Sequence, residues 1–245
     1  MAPRDWRRAA DYADIAGMDL SALAWEFLRR NPRYREEYPG LVDAAEAGAA
    51  EALAGRWGLR FPVSPDLDAD AGPVFWRAEA APAHVVILAP SALGGLTVAD
   101  LAARSAAGHR ADDGVHLRLG RGLQAVVPPD AGPAAPLAAA APLDAVLGVR
   151  LTALAALDRL LDGRPAGPDP LPPLSRRRLG GMLRALDGRA AGASHRDIAL
   201  HLVGGVPAEP GAWRTCAARD VAVRLCRSAV RVVEGGYRRL LARRR

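Results

Sequence analysis

The chain has 245 residues, of which 50% are hydrophobic and 24% are charged, so it can bury a core and is not a disordered tail. The formal net charge is +6, and all 33 basic residues are arginines. Residues 175–245 hold 16 Arg against 5 acidic residues, whereas residues 1–174 hold 17 Arg against 22 acidic residues. Positive charge concentrated in one terminal segment predicts an anionic polymer as the partner.

Cysteine content and hydropathy exclude several classes of protein. Cys216 and Cys226 are the only cysteines, and ten residues apart on a helix they differ by about 280° in phase, which argues against a zinc module or a disulfide scaffold. The first residues lack the apolar run of a signal peptide, and charged residues interrupt the most apolar helical stretch, 143–161. We therefore expect a cytoplasmic protein with no membrane span.

Three helices are predicted at the amino end. Asp19 or Ser21 is the expected N-cap of the first, and Pro32 suits the first turn of the second. Pro39-Gly40 is expected to end that second helix. The predicted bounds are 20–30, 32–38 and 41 to about 57.

From residue 61 the pattern changes to strands. Runs rich in Val and Leu predict strands at 84–88, 115–119 and 123–127, and Gly120-Arg121-Gly122 is a hairpin-length connection. These strands predict a small antiparallel sheet, with residues 128–142 as an Ala/Pro-rich connector. Asp112-Asp113-Gly114 is interpreted as a turn, and the amphipathic helix over 143–161 is expected to pack on the sheet.

A Pro-rich segment marks the clearest boundary. Residues 163–173 contain five prolines and predict a semi-rigid spacer. The expected domains are a helical domain over 1–60, a small α+β domain over 61–162, a linker over 163–174 and a basic domain over 175–245. The predicted fold class is α+β and mostly helical.

The basic segment predicts three helices. The first is expected to end at Asp187-Gly188. Ser194 is the predicted N-cap of a short second helix, and Gly204-Gly205 its stop. Trp213 is expected to open a longer third helix that reaches about Glu234. Its predicted buried stripe is Val221, Leu225, Ala229 and Val232. This is the plan of a helix-turn-helix unit.

An α-helix fits the major groove of B-DNA, and Arg binds guanine or phosphate oxygens in pairs of hydrogen bonds. The predicted base contacts are Arg214, Thr215 and Arg219, with Asp220 as a further candidate. Arg224, Arg227 and Arg231 are predicted to follow the DNA backbone, and Arg196 is the predicted phosphate clamp. Sequence-independent attraction is expected from Arg238, Arg239 and the tail 243–245, and Ser194 and His195 complete the predicted DNA-binding residues.

Two segments carry a family resemblance. The run Leu183–Gly204, followed by Trp213 and by Val233-Glu-Gly-Gly-Tyr-Arg-Arg-Leu-Leu, resembles the DNA-binding domain of RovC-like bacterial transcription factors of the type VI secretion type. The run Trp25-Glu-Phe-Leu-Arg-Arg-Asn-Pro-Arg-Tyr-Arg resembles a proteobacterial transcriptional-regulator-like domain. The resemblance implies sequence-specific DNA binding and transcriptional control.

Catalytic and metal-binding patterns are missing from the sequence. It has no phosphate-binding loop, nucleophile elbow or His-Glu-x-x-His pair, and His195 and His201 lie on different faces of a helix. We expect a regulator that is not an enzyme and uses no cofactor or metal. The expected partner is double-stranded DNA, with a homo-oligomer and RNA polymerase or another regulator as further candidates. The alternative is an adaptor whose basic helices bind an acidic protein.

Tryptophan residues are expected to serve as anchors. Trp6, Trp25 and Trp57 are predicted at a core or an interface, and Trp76 on the hairpin sheet. Trp213 is interpreted as a hydrophobic staple against the third basic helix.

Overall fold

The computed structural model describes residues 4–43, 52, 54–164, 171–209 and 211–242. Within these residues the protein is α+β and mostly helical, as expected. The helices are α1 (Leu20–Leu28), α2 (Pro32–Asp43), α3 (Val98–Ala102), α4 (Leu147–Leu161), α5 (Pro173–Ala190), α6 (His195–Leu202), α7 (Ala217–Arg231) and α8 (Arg238–Ala242). The strands are β1 (Val85–Pro90), β2 (Ala107–Ala111), β3 (Gly114–Arg118), β4 (Gln124–Val127) and β5 (Leu137–Ala140). Among the described helices, none has the length and apolarity that a membrane span requires.

The chain divides into two compact units. The basic unit combines Met1–Met18 with Asp169–Gly236, and the sheet unit combines Asp19–Pro168 with Tyr237–Arg245. The first residues of the chain thus share a unit with α5, α6 and α7, and α8 shares a unit with α1. These units do not coincide with the four segments expected from the sequence, which remain a prediction about folding domains.

The amino-terminal helices confirm one predicted boundary and correct another. Asp19 is the N-cap of α1, since its Oδ1 accepts a hydrogen bond of 2.9 Å from the backbone N–H of Ala22. The prediction that Pro39-Gly40 ends the second helix is wrong, because α2 continues to Asp43. A proline inside a helix removes one backbone hydrogen bond, which neighbouring turns can outweigh. The predicted helix over 41–57 falls largely on residues 44–51 and 53, which lie outside the described residues.

The five strands form a sheet in the order β2-β3-β4-β1-β5. The predicted hairpin is present as β3 and β4, with Arg121 and Gly122 at φ of 64° and 71° in its turn. The sheet is mostly antiparallel, but β1 and β4 pair in parallel. Strand β5 lies inside the expected connector 128–142, where Ala-rich sequence gives no strand signal.

One face of the sheet is buried by α4, as predicted. Ala153 and Leu157 of α4 pack in a cluster with strand residues that include Val86, Leu117 and Ala125. The helix begins at Leu147 rather than Leu143, whose side chain is 92% exposed. The packing fixes α4 to the sheet through apolar contact.

The turn between β2 and β3 is held by a buried arginine. Arg60 donates hydrogen bonds of 2.8 and 2.9 Å to the carboxylates of Asp112 and Asp113, and His116 Nε2 lies 2.9 Å from Asp113 Oδ1. Burial raises the pKa of Asp113, but hydrogen bonds and charge from Arg60 and His116 outweigh it and lower the pKa to about 2. The paired carboxylates lie in a turn, as predicted, and the structure adds their ion pairs with Arg60.

Candidate nucleic-acid interface

The amino-terminal segment completes the basic unit. Trp6 is 3% exposed and its ring lies 5.1 Å from that of His201, centroid to centroid. Tyr12 Oη donates a hydrogen bond of 2.5 Å to Asp187 Oδ2 on α5, and the backbone carbonyl of Trp6 accepts one of 2.9 Å from Arg184 Nε. Trp6 is therefore a core anchor, as predicted, and its neighbours are helices more than 170 residues away in sequence.

Helix α5 corrects the expected end of the first basic helix. The prediction that it ends at Asp187-Gly188 is wrong, because α5 continues to Ala190. Gly188 is buried inside the helix, where Trp6 and Ile198 crowd it. Glycine at this position lets the side chains of Trp6 and Ile198 approach the α5 backbone closely. The sequence analysis interpreted the same glycine as part of a turn.

Helix α6 begins as predicted. Ser194 is its N-cap, with Oγ accepting from the backbone N–H of Asp197 at 3.2 Å and donating to Asp197 Oδ2 at 2.7 Å. Hydrogen bonds from the side chain and backbone of Ser194 lower the pKa of Asp197. The hydroxyl of Ser194, predicted to contact DNA, is engaged in this capping box.

A long connector separates α6 from α7. Gly204 and Gly205 end α6 with φ of 80° and 65°, as predicted. Arg196, the predicted phosphate clamp, donates a hydrogen bond of 3.2 Å to the carbonyl of Pro207 within the connector, and its role toward phosphate remains a prediction. Its guanidinium group therefore stabilises the loop that leads to α7.

The third basic helix begins later than predicted. A 3-10 helix covers Gly211–Thr215, and α7 starts only at Ala217 after its N-cap, Cys216. The prediction that Trp213 opens the helix is therefore wrong. Arg214 and Thr215 are exposed and precede α7 in the 3-10 turn. Because the 3-10 turn winds more tightly, a pattern of 3.6 residues does not locate the boundary.

The buried face of α7 is rotated from the predicted stripe. Val221 is 39% exposed, and Leu225 and Val232 are half-buried, so only Ala229 of the predicted stripe is fully buried. The buried residues of α7 are Ala218, Ala222, Cys226 and Ala229. Small side chains let the helix approach α5 closely, which a search for large apolar residues overlooks.

The exposed face of α7 carries four arginines. They are Arg219, Arg224, Arg227 and Arg231. Arg219 lies 3.4 Å from Asp220 Oδ1. No carboxylate among the described residues forms an ion pair with any of the other three. Their charge is therefore available to an external anion.

His195 at the start of α6 and Arg189 in the last turn of α5 lie beside this face of α7. Burial lowers the pKa of His195, and the charges of Arg189, Arg219 and Arg227 lower it further. The fold thus brings the last turn of α5, the first turn of α6 and one face of α7 together. Sequence reasoning missed Arg189, because it ended α5 too early. The sequence signal that could have identified Arg189 is its spacing, since it lies one helical turn after Ala185 on the same helix.

Arg238 and Arg239 lie near the carboxyl end of the described residues. Both belong to α8 in the sheet unit, where Arg238 donates a hydrogen bond to the carbonyl of Arg56 and stacks 5.8 Å from the ring of Tyr237. Their predicted contribution to DNA binding remains a prediction. Residues 243–245 lie outside the described residues.

Comparison with known families decides the class. Residues 140–242 match the family model described as "T6SS, Transcription factor, DNA binding domain". Residues 5–62 match the model of a "Proteobacterial transcriptional regulator-like domain". The two matches indicate a transcription-regulator family with a DNA-binding domain. This confirms the resemblance carried by the sequence, and it points to a non-enzymatic regulator. No match was found among curated proteins.

The DNA-binding domain matched by the model is wider than the basic segment. The match begins at residue 140 and includes α4, α5, α6, α7 and α8. The basic unit supplies the exposed arginines of α7, and the match to a DNA-binding domain supports DNA as a partner.

Proposed function

We propose that this regulator binds double-stranded DNA in a sequence-specific way, with α7 lying in the major groove. The observation that carries the proposal is the row of exposed arginines on α7, three of which have no carboxylate partner among the described residues. A bare α-helix fits the groove, and guanidinium groups bind guanine and phosphate. Arg189 borders the same face and extends the positive surface.

The position of each residue along α7 supports the role that we propose for it. Arg219 lies in the first turn of the helix, where helix-turn-helix proteins contact base edges. Asp220 beside it is the candidate acceptor for a cytosine amino group. Arg224, Arg227 and Arg231 lie further along the helix and bind phosphates. Arg214 and Thr215 precede the helix and contact DNA next to the same base step.

Residues of α6 position this surface. Ser194 caps α6 and Arg196 holds the connector through Pro207, so both act on DNA binding through the orientation of α7. His195 is the residue of α6 that borders the arginine cluster. A helix N-terminus with free backbone N–H groups also favours a phosphate oxygen.

Selection of bound duplexes from a random-sequence pool, followed by affinity measurements at several salt concentrations, tests the proposal with the full chain. We expect a defined motif, and log affinity that falls with log salt by about 0.9 per phosphate contact. Arg227→Ala and Arg231→Ala should each reduce that slope by about 1. Arg177→Ala removes an exposed arginine from the first half of α5 and is the matched control. Recovery of no motif would contradict the proposal.

A second candidate function is a protein adaptor. Val221 and Val230 of α7 and Leu200 of α6 are 39%, 44% and 49% exposed, and exposed apolar groups are common at protein interfaces. An adaptor would bind an acidic regulator or a polymerase surface with a weaker dependence on salt. The salt series therefore separates the two functions.

The sheet unit is proposed to mediate oligomerisation or contact with RNA polymerase or another regulator. Strands β2 and β5 stand at the two edges of the sheet. Edge strands present unpaired backbone groups that can pair with another chain. Sedimentation analysis of the free chain and of its DNA complex would measure the stoichiometry, and a monomer in both would contradict oligomerisation.

A further inference from the structure

The basic unit contains a cleft between α5, the start of α6 and α7. Its volume is about 540 Å³, within the range of about 300–1,000 Å³ that small-molecule sites occupy. Leu186, Val223 and Val230 provide apolar lining. Arg189, Arg227 and Arg231 provide its charged lining. Apolar and cationic groups thus face one cavity.

This combination of groups matches an anion with a hydrocarbon body. Hydrocarbon buried against the apolar lining gains free energy in proportion to its area, and a guanidinium group binds a carboxylate through two parallel hydrogen bonds. Arg189 uses one N–H donor on the carbonyl of Ala193 and keeps others for a ligand. None of these three arginines forms an ion pair with a described carboxylate.

His195 adds a polar side chain to the lining of the cleft. The surrounding arginines and burial lower its pKa, which favours the neutral imidazole near pH 7. A neutral imidazole can share a hydrogen bond with a carboxylate oxygen. The charge that selects an anion therefore comes from the arginines.

We propose that this cleft binds a medium-chain carboxylate, and that the bound carboxylate competes with DNA. The competition rests on the proposed function, since Arg227 and Arg231 line the cleft and also lie among the proposed phosphate contacts. A guanidinium group paired with the ligand carboxylate is withdrawn from phosphate. Binding linkage then requires each ligand to weaken the other by the same factor.

The binding step is tested with dodecanoate as the probe, below its micelle concentration, by titration calorimetry on the full chain. We expect one site per chain. Leu186→Gln and Val230→Gln remove apolar lining from α5 and from α7 and should each weaken dodecanoate about tenfold or more. Arg224→Gln changes an exposed arginine of α7 that does not line the cleft and should leave dodecanoate binding unchanged. The two lining variants cover the case in which one fails to fold.

The competition step is tested with the selected duplex. Dodecanoate at ten times its Kd should raise the apparent Kd for DNA about tenfold. Leu186→Gln should bind DNA as the unaltered chain does, with little response to dodecanoate. Unchanged DNA affinity at saturating dodecanoate would overturn the competition.

The outcomes separate the two proposals. Absence of dodecanoate binding, binding by both lining variants as tight as that of the unaltered chain, or binding of an acidic helical peptide in place of dodecanoate would overturn the carboxylate site. Dodecanoate binding that needs Leu186 and Val230, in a chain that binds no DNA, would support the site and contradict the proposed function.

Discussion

The indole of Trp6 stands where a side chain on Gly188 would be. A Cβ atom built on Gly188 would lie 2.9 Å from Trp6 Cδ2 and 2.6 Å from Ile198 Cδ1. The absence of a side chain at Gly188 thus lets α5, α6 and the amino-terminal segment share one core. This contact ties the first residues of the chain to α5 and α6 within the basic unit.

Gly188→Ala should destabilise the basic unit by about 1–3 kcal/mol, because the added methyl overpacks the contact with Trp6. Gly181→Ala is the matched control in the same helix, since its nearest neighbour would be Leu225 Cδ1 at 4.0 Å. That control should stabilise the unit by about 0.5–1 kcal/mol. Urea unfolding followed by circular dichroism measures both, and equal stability of the two variants would contradict the packing argument.

Deletion of residues 1–18 should lower the melting temperature of the basic unit. The deletion removes the buried ring of Trp6, which alone would cost about 3–5 kcal/mol on truncation, and the hydrogen bond from Tyr12 to Asp187. A fragment of residues 175–245 keeps the local positive charge and should retain nonspecific DNA binding, but without Trp6 it should lose helix content. Unchanged melting after the deletion would contradict this.

Ser194→Ala should lower the free energy of unfolding by about 1 kcal/mol and also weaken DNA binding, because the capping box orients the start of α6. Thr97→Ala removes the equivalent capping box from α3 in the sheet unit. This control should destabilise the chain without changing its affinity for DNA. Denaturant unfolding and anisotropy titrations together measure the two effects, and equal DNA affinities for both variants would argue against the role of α6.

Arg219→Ala should cost about 1–3 kcal/mol at one base position of the selected motif, since Arg219 lies in the first turn of α7. Arg227→Ala should weaken matched and scrambled duplexes alike. Competition titrations with single-base variants of the motif distinguish the two patterns. Equal losses on all sequences for both variants would refute the assigned roles.

Asp113→Asn should lower the free energy of unfolding at pH 7. The pKa of Asp113 is lowered from 3.8 to about 2, so its ion pair contributes fully above the unfolded-state pKa and is lost as the pH falls through about 2. The difference in the free energy of unfolding between the variant and the unaltered chain should therefore become smaller as the pH falls from about 4 to about 2. Asp130→Asn, at an exposed position, is the control and should leave the free energy of unfolding at pH 7 unchanged.

The sequence by itself determined the elements that local chemistry specifies. Asp19 and Ser194 carry side chains that cap helices, and Gly120-Arg121-Gly122 supplies the backbone freedom of a hairpin turn, so α1, α6 and the β3–β4 hairpin were predictable. The charge of residues 175–245 and the motifs within them also indicated the DNA-binding family.

Only the tertiary structure decided which faces meet. The burial of Ala218 and Ala222 in place of Val221 depends on how α7 is rotated against the helices that it packs on, and the sequence of α7 alone does not fix that rotation. The contact of Trp6 with Gly188 joins residues 182 positions apart, a pairing that no local pattern encodes. Long-range packing thus placed Arg189, His195 and Arg227 on one surface. The free energy of burying the core sets the relative positions of the helices, and the charged side chains take the positions that the helices give them.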